Sequence, residues 1–237
     1  MTLQYKRVLL KVSGQALQGQ YQLGIDTQVI EHLITEVSTI LALGCEVCMV
    51  VGGGNFFRGK QLEQKGIGRT TGDNMGMLGT VLNALAIRDM CENAGIDSRV
   101  MSALPVPGVV GGYEVHKALR YMRLGRLVIY AGGTGSTLVT TDTAASLRAI
   151  EAKADILIKM TRVNGVYDKD PEYYPDAKHY PTLSFDEALN RHINVMDKVA
   201  FYQCYEYDLP ICVYDMHIPG ALAKIVCGKA LGTLVTR

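Results

Sequence analysis

A three-layer α/β fold, with a mostly parallel central sheet covered by helices on both faces, is what this sequence predicts. Short, very apolar runs rich in β-formers alternate along the chain with longer segments of helical period. The runs are apolar on both faces, as strands are when helices cover them front and back. Four of the runs also end in Gly, Ser or Thr, and the carboxyl edge of such a sheet is where loops gather around a ligand.

The elements follow in order. Residues 6–12 read as a strand. Asp26 is placed to cap a helix whose apolar face carries Val29, Leu33 and Val37 with Ile30, Ile34 and Leu41, and which stops before Gly44. This helix is apolar enough for either the core or a subunit interface. Residues 46–51 form a strand running into Gly52, Gly53 and Gly54. Asp73 is expected to cap a helix carrying Leu78, Val81, Leu82 and Leu85 that stops before Gly95. A strand at 98–104, a helix at 113–124 and a strand at 126–131 come next, the last ending at Gly132 and Gly133. The second half repeats the alternation: helix 142–153, strand 155–160, then a loop from Asn164 and Gly165 that holds Asp168, Asp170 and Pro171. Helices at 184–190 and 196–207, a strand at 210–214 and a helix at 219–226 complete the chain. No linker-like or low-complexity stretch interrupts it, so residues 1–237 are expected to form a single domain.

Composition excludes several classes. With 48% hydrophobic and 20% charged residues the chain folds, and a formal net charge of +1 gives no long-range attraction to nucleic acid. The start is basic but its apolar run is short and interrupted by Lys11, which fits neither a signal peptide nor a membrane span. A reducing cytoplasm is the expected compartment. Cys45 and Cys48 have CxxC spacing, yet three residues apart on a strand they face opposite sides, so they read with Cys91, Cys204, Cys212 and Cys227 as small buried hydrophobes. The five histidines make no metal-ligand pattern.

The chemistry lies in the strand ends: Ser13-Gly14, Gly52-Gly53-Gly54, Gly132-Gly133-Thr134-Gly135 and Thr161. Glycine lets backbone N–H groups approach phosphate oxygens with no Cβ in the way. Two familiar phosphate motifs fail here. The run from Gly54 to Lys60 nearly makes a Walker A loop, but Gln61 stands where Mg²⁺ needs a hydroxyl, and Gly66 and Gly68 interrupt the following helix. The run from Gly133 opens like a dinucleotide fingerprint, but Leu138 replaces its third glycine. Lys11, at the end of an apolar strand directly before Val12, Ser13 and Gly14, can reach a phosphate from the sheet's carboxyl edge. Arg58 lies just past the triple glycine. Cations and backbone donors around a transferring group, with acidic residues to order them, are what phosphoryl transfer requires.

These residues resemble the bacterial UMP kinases. The segments Lys11-Val12-Ser13-Gly14, Gly52-Gly53-Gly54-Asn55-Phe56-Phe57-Arg58-Gly59, Gly72-Asp73-Asn74-Met75-Gly76-Met77 and Thr140-Thr141-Asp142 occur in that family's order. Lys159-Met160-Thr161-Arg162-Val163-Asn164-Gly165-Val166-Tyr167, Asp170-Pro171 and Val195-Met196-Asp197 continue it over nearly the whole chain. The resemblance implies the amino-acid-kinase fold and transfer of the ATP γ-phosphoryl group to UMP, giving UDP and ADP on the way to UTP and CTP. It implies an N-terminal half mainly for UMP and a C-terminal half mainly for the ATP nucleoside.

Carried onto matching positions, the resemblance gives Lys11, Val12, Ser13, Gly14, Gly54 and Arg58 the ATP phosphates, and Thr161, Tyr167 and Asp170 the adenine nucleoside. Gly53, Asp73 and the loop of Thr134, Gly135, Ser136, Thr137, Leu138, Val139, Thr140 and Thr141 would hold UMP, Asp73 accepting from the ribose hydroxyls. Lys11, Arg58, Asp142, Lys159 and Asp197 would be the catalytic set, the two aspartates ordering the lysines and the Mg²⁺ that comes with ATP; no residue is assigned as a metal ligand. In isolation Asp142 also suits a helix N-cap, and Asp197 a solvated first-turn acid. The resemblance further implies a cytoplasmic homohexamer activated by GTP and inhibited by UTP, needing neither nucleic acid nor membrane. The chain departs from the family at Gln15, where Glu is usual, at Ser136-Thr137 in place of Asn-Pro, and at Leu138-Val139 in place of a more aromatic pair. Two other functions stay open on the residues alone: a kinase of the same fold acting on a carboxylate or carbamate, and a non-catalytic nucleotide-binding protein.

Overall fold

The computed structural model describes residues 2–57, 62–64 and 66–237. Its strands are β1 (Arg7–Val12), β2 (Glu46–Val51), β3 (Ser98–Ser102), β4 (Leu127–Ala131), β5 (Ile156–Thr161), β6 (Val166–Tyr167), β7 (His179–Tyr180), β8 (Thr182–Ser184), β9 (Ile211–Asp215) and β10 (Thr233–Thr236). Eight of them form one sheet in the order β3-β4-β2-β1-β5-β9-β10-β8, while β6 and β7 make a separate antiparallel ribbon. The six strands from β3 to β9 are parallel; β10 runs antiparallel to β9, and β8 follows β10 in parallel. The chain builds outward from β1 in one direction, then crosses to β5 and builds in the other. The boundary between β1 and β5 is therefore the point where strand order reverses, the usual place for a ligand crevice in open α/β sheets.

The helices are α1 (Gly14–Leu17), α2 (Thr27–Ala42), α3 (Arg69–Asn93), α4 (Val115–Arg123), α5 (Thr141–Glu151), α6 (Phe185–Asn190), α7 (Lys198–Glu206) and α8 (Ala221–Val226). Strand alternation sorts them into two layers. Val8, Leu10 and Val12 of β1 pack with Leu17, Ile30, Leu33, Val37, Ala84, Ile87 and Leu222 from α1, α2, α3 and α8. Leu9 faces the opposite way, with Met122, Ala145, Ala149, Phe185 and Phe201 from α4, α5, α6 and α7. Each large aliphatic side chain so buried contributes roughly 1.5–3 kcal/mol. The inner face of α2 is spent on this core. Cys45 belongs to the first layer and Cys48 to the second, so the CxxC pair straddles the sheet. Burial pushes both thiols up to about 12.

One local expectation is corrected, and the isolated alternatives for Asp142 and Asp197 are decided. Helix α3 starts at Arg69 behind Gly68, which offers no side-chain cap, so Asp73 lies one turn inside the helix and is not its N-cap. Asp142 is not a cap either: Thr140 caps α5, its hydroxyl accepting from the Asp142 N–H at 3.0 Å. Asp197 is the N-cap of α7, its carboxylate accepting from the Ala200 N–H at 3.0 Å. The short elements α1, β6, β7, β8 and β10 were not expected.

Candidate functional site

The four Gly, Ser and Thr strand ends follow β4, β2, β1 and β5, which are consecutive in the sheet and parallel. They therefore emerge side by side along one edge. Two clefts open there. The first, of about 550 Å³, is floored by Gly52, Gly53 and Gly54 and walled by Asp73 and Met77 of α3 and by the 133–141 loop. The second, of about 700 Å³, lies over β5 and is lined by Lys11, Lys159, Thr161, Tyr167, Asp170 and the segment 191–195. Ser13 and Gln15 line both, so the clefts meet at the loop that follows β1.

Two residues before Ser13, Lys11 lines the second cleft and is 7% exposed; its ammonium lies 2.7 Å from Asp142 Oδ1, and Asp142 itself lines neither cleft. Lys159 Nζ reaches Asp142 Oδ2 at 3.0 Å and donates to the Val195 carbonyl at 2.7 Å. The convergence follows from strand parity. Lys11 is two residues from Leu9 and Lys159 two from Leu157, so both side chains turn toward the face that α5 covers, and Asp142 sits in the first turn of α5. Burial disfavours the Asp142 charge, but the two ammonium groups outweigh it and hold the carboxyl at about 2. Burial lowers the Lys159 pKa, with Asp142 opposing that shift.

Asp197 makes a different junction. Its carboxylate accepts from Thr140 Oγ1 at 2.5 Å and from Thr143 Oγ1 at 3.0 and 3.1 Å, besides capping α7. Thr140 lies in the 133–141 loop, so one carboxylate ties the wall of the first cleft to the N-terminus of α7. Asp73 also holds that loop, accepting from the Leu138 N–H at 2.9 Å while pairing with Arg69 at 2.9 Å. Leu138 bends into the left-handed region, φ 68°, and is 66% exposed.

Two glycines are required by close approach. A Cβ on Gly14 would lie 2.5 Å from the Gly54 nitrogen, and one on Gly53 would lie 2.2 Å from the Gly76 carbonyl of α3. Both contacts are backbone against backbone.

Of the residues expected around UMP, Gly53, Asp73, Thr134, Ser136, Val139, Thr140 and Thr141 line the first cleft. Gly135, Thr137 and Leu138 belong to the same loop without lining it. Of those expected around ATP, Lys11, Ser13, Thr161, Tyr167 and Asp170 line the second cleft, while Gly14 and Gly54 line the first. Val12 is buried in the core, so only its backbone faces the loop. Arg58 lies outside the described residues. Arg69 and Thr80 also line the first cleft and were not singled out from the sequence; Arg69 to Asp73 is an i,i+4 pair, visible only once the helix start is known.

The donor set does not make a cage for a protein-held magnesium ion. Asp142 is spent on two lysines and Asp197 on hydroxyls and a helix end, and among the described residues no group of three or more His, Cys, Asp or Glu could hold a metal. Among them, too, no helix is long and apolar enough to cross a membrane.

Comparison with known proteins agrees with this geometry. A model described as the Amino acid kinase family matches residues 6–215. A uridylate kinase from Legionella pneumophila (strain Lens) is 51% identical over 233 residues, 98% of this chain and 94% of that protein. One from Coxiella burnetii is 48% identical over 231 residues, 98% of this chain and 95% of its own. The solved UMP kinase of Bacillus anthracis superposes with a TM-score of 0.94 at 37% identity, covering 98% of this chain and 96% of the other. That of Ureaplasma parvum gives 0.92 at 29% identity over the full length of both. With two clefts sharing the loop after β1 and a lysine–aspartate–lysine centre beside the second, the chain belongs to the amino acid kinase family, among its uridylate kinases.

Proposed function

We propose that the chain is a UMP kinase, transferring the γ-phosphoryl group of ATP to uridine monophosphate in the synthesis of pyrimidine nucleotides. The observation that carries this reading is the centre of Lys11, Asp142 and Lys159, whose two lysines line the second cleft beside the loop that both clefts share. The first cleft takes UMP, its phosphate over Gly53 and Gly54 and its ribose toward Asp73. The second takes ATP, its nucleoside between Thr161, Tyr167 and Asp170. Residues 1–237 act as one domain, its N-terminal half serving mainly UMP and its C-terminal half mainly the ATP nucleoside.

The reaction is an in-line attack of a UMP phosphate oxygen on the γ-phosphorus. The attacking oxygen is already anionic, so no strong general base is needed. The chain's task is to orient two anions and stabilise the charge that spreads over the transferring group. Lys11 lines the second cleft two residues before Ser13, which lines both, and faces the transferring group. Asp142 pairs with Lys11 and Lys159 and aims both, and the family resemblance gives Arg58 the part of a further cation. Magnesium enters as part of the MgATP substrate, held by its phosphates.

The same reading carries a cytoplasmic homohexamer activated by GTP and inhibited by UTP, supported by the family resemblance. The test is to incubate the purified chain with MgATP and UMP, then with CMP, carbamate or acetylglutamate in place of UMP, and follow ADP. UMP-dependent ADP and UDP are expected; ADP formation that ignores UMP ends the assignment.

A further inference from the structure

Asn55, the residue after the triple glycine, turns its side chain away from the cleft and is 2% exposed; Asn83 of α3 is 0% exposed. The two amides pair reciprocally. Asn55 Nδ2 donates to Asn83 Oδ1 at 2.9 Å, and Asn83 Nδ2 donates to Asn55 Oδ1 at 2.7 Å. The second N–H of each goes to a backbone carbonyl, from Asn55 to Gly24 at 2.8 Å and from Asn83 to Gly52 at 2.7 Å. All four amide donors are therefore used. Because the carbonyls of Gly24 and Gly52 only accept, the orientation of both amides is fixed.

A buried amide pair is costly unless fully satisfied, and a hydrophobic pair would fill the same space. Its placement shows what the polarity does. Asn83 holds the first glycine of the loop after β2. Asn55 Oδ1 lies against Gly14, where an added Cβ would come within 2.6 Å of it. The Gly24 N–H also returns to the Asn55 carbonyl at 3.2 Å. The two glycine loops, one after β1 and one after β2, are thus both set against this amide pair and referenced to α3. Neither asparagine lines either cleft.

We propose that Asn55 and Asn83 form a positioning clamp for phosphoryl transfer, fixing the spacing of the two glycine loops between which donor and acceptor phosphates meet. The inference rests on the UMP kinase reading. Loop spacing governs the approach of the reacting atoms more than the grip on either nucleoside, so losing the clamp lowers kcat and leaves KM largely unchanged; misplacements of about 1 Å cost up to about a hundredfold.

The test compares Asn83→Ala and the same-sized Asn83→Asp with the wild-type chain, using MgATP and UMP. Ile87→Val and Ile87→Ala, buried on the same helix and outside both clefts, bracket the loss of stability. The asparagine variants are expected to lose about ten- to a hundredfold in kcat, with KM for both nucleotides within about threefold. The Ile87 variants of equal Tm loss should keep kcat within about twofold. The proposal is overturned if the Asn83 variants keep wild-type kcat, if their loss tracks Tm as in the Ile87 variants, or if only KM rises. It also falls if neither Asn83 variant folds, since the pair is then a folding requirement alone. A wild-type chain that makes no UDP would instead sink the functional reading, before any variant is compared.

Discussion

Lys11 and Lys159 are register partners on the neighbouring parallel strands β1 and β5, and both ammonium groups close on the one carboxylate of Asp142. Adjacent strands lie about 4.8 Å apart, so register partners carrying like charge on the same face need an anion between them. The first turn of α5 supplies it.

Removing the buried cation that precedes the shared loop should slow the chemistry. Lys11→Ala is expected to lower turnover by about 10²–10³ at saturating MgATP and UMP, the size of one preorganised electrostatic donor. Steady-state kinetics checks it, and near-normal turnover would take Lys11 out of the mechanism.

Asp142→Asn leaves two buried lysines without their counter-ion and is expected to cost about 3 kcal/mol of stability at pH 7, read by urea unfolding. The folded carboxyl stands at about 2, below its ordinary 3.8, so its contribution is complete above about 3.8 and is lost as pH falls through about 2. The gap between wild type and variant should hold from pH 7 to about 5 and close between about 4 and 2. A gap unchanged at the acid end would show that Asp142 is not held charged by the lysines.

Thr140 both caps α5 and donates to Asp197. Thr140→Val should cost about 1 kcal/mol in unfolding experiments and raise KM for UMP more than for ATP, because the freed loop walls the first cleft. Thr140→Ser should restore both quantities. Equal effects on the two nucleotides would count against the tie.

Leu138 holds a left-handed backbone in a solvent-exposed loop. Leu138→Gly is expected to be neutral or slightly stabilising, whereas Leu138→Val should cost about 1–2 kcal/mol, since a β-branched side chain tolerates that conformation worst. Equilibrium unfolding of the two variants decides, and equal stabilities would refute it.

Much of the architecture was legible because burial writes itself into composition. The strands β1, β2, β4, β5 and β9 are covered on both faces and so read as strongly apolar runs, with Lys11 and Lys159 standing out in β1 and β5. The elements that escaped are short and borrow their stability from distant segments: β10 is held by β9 and β8, and nothing local marks them. The start of α3 was misplaced because Gly72, Gly76 and Gly79 depress helix propensity, and the helix persists there through tertiary contact with the loop after β2. Strand-end glycines and Lys11 announced the site, since special backbone and isolated charge stand out in an apolar run. The Asn55–Asn83 pair could not announce itself, because two ordinary amides gain meaning only when the fold brings them together.

The contact between Gly53 and α3 has a mechanical side. Side chains normally cushion the meeting of a helix and a loop, rotating to absorb small shifts. Where Gly53 meets Gly76 and Gly79 there is no such cushion, only main chain on main chain. A sideways displacement of α3 must pass into the floor of the first cleft as a rigid push, so whatever leans on that long helix from outside also presses on that floor.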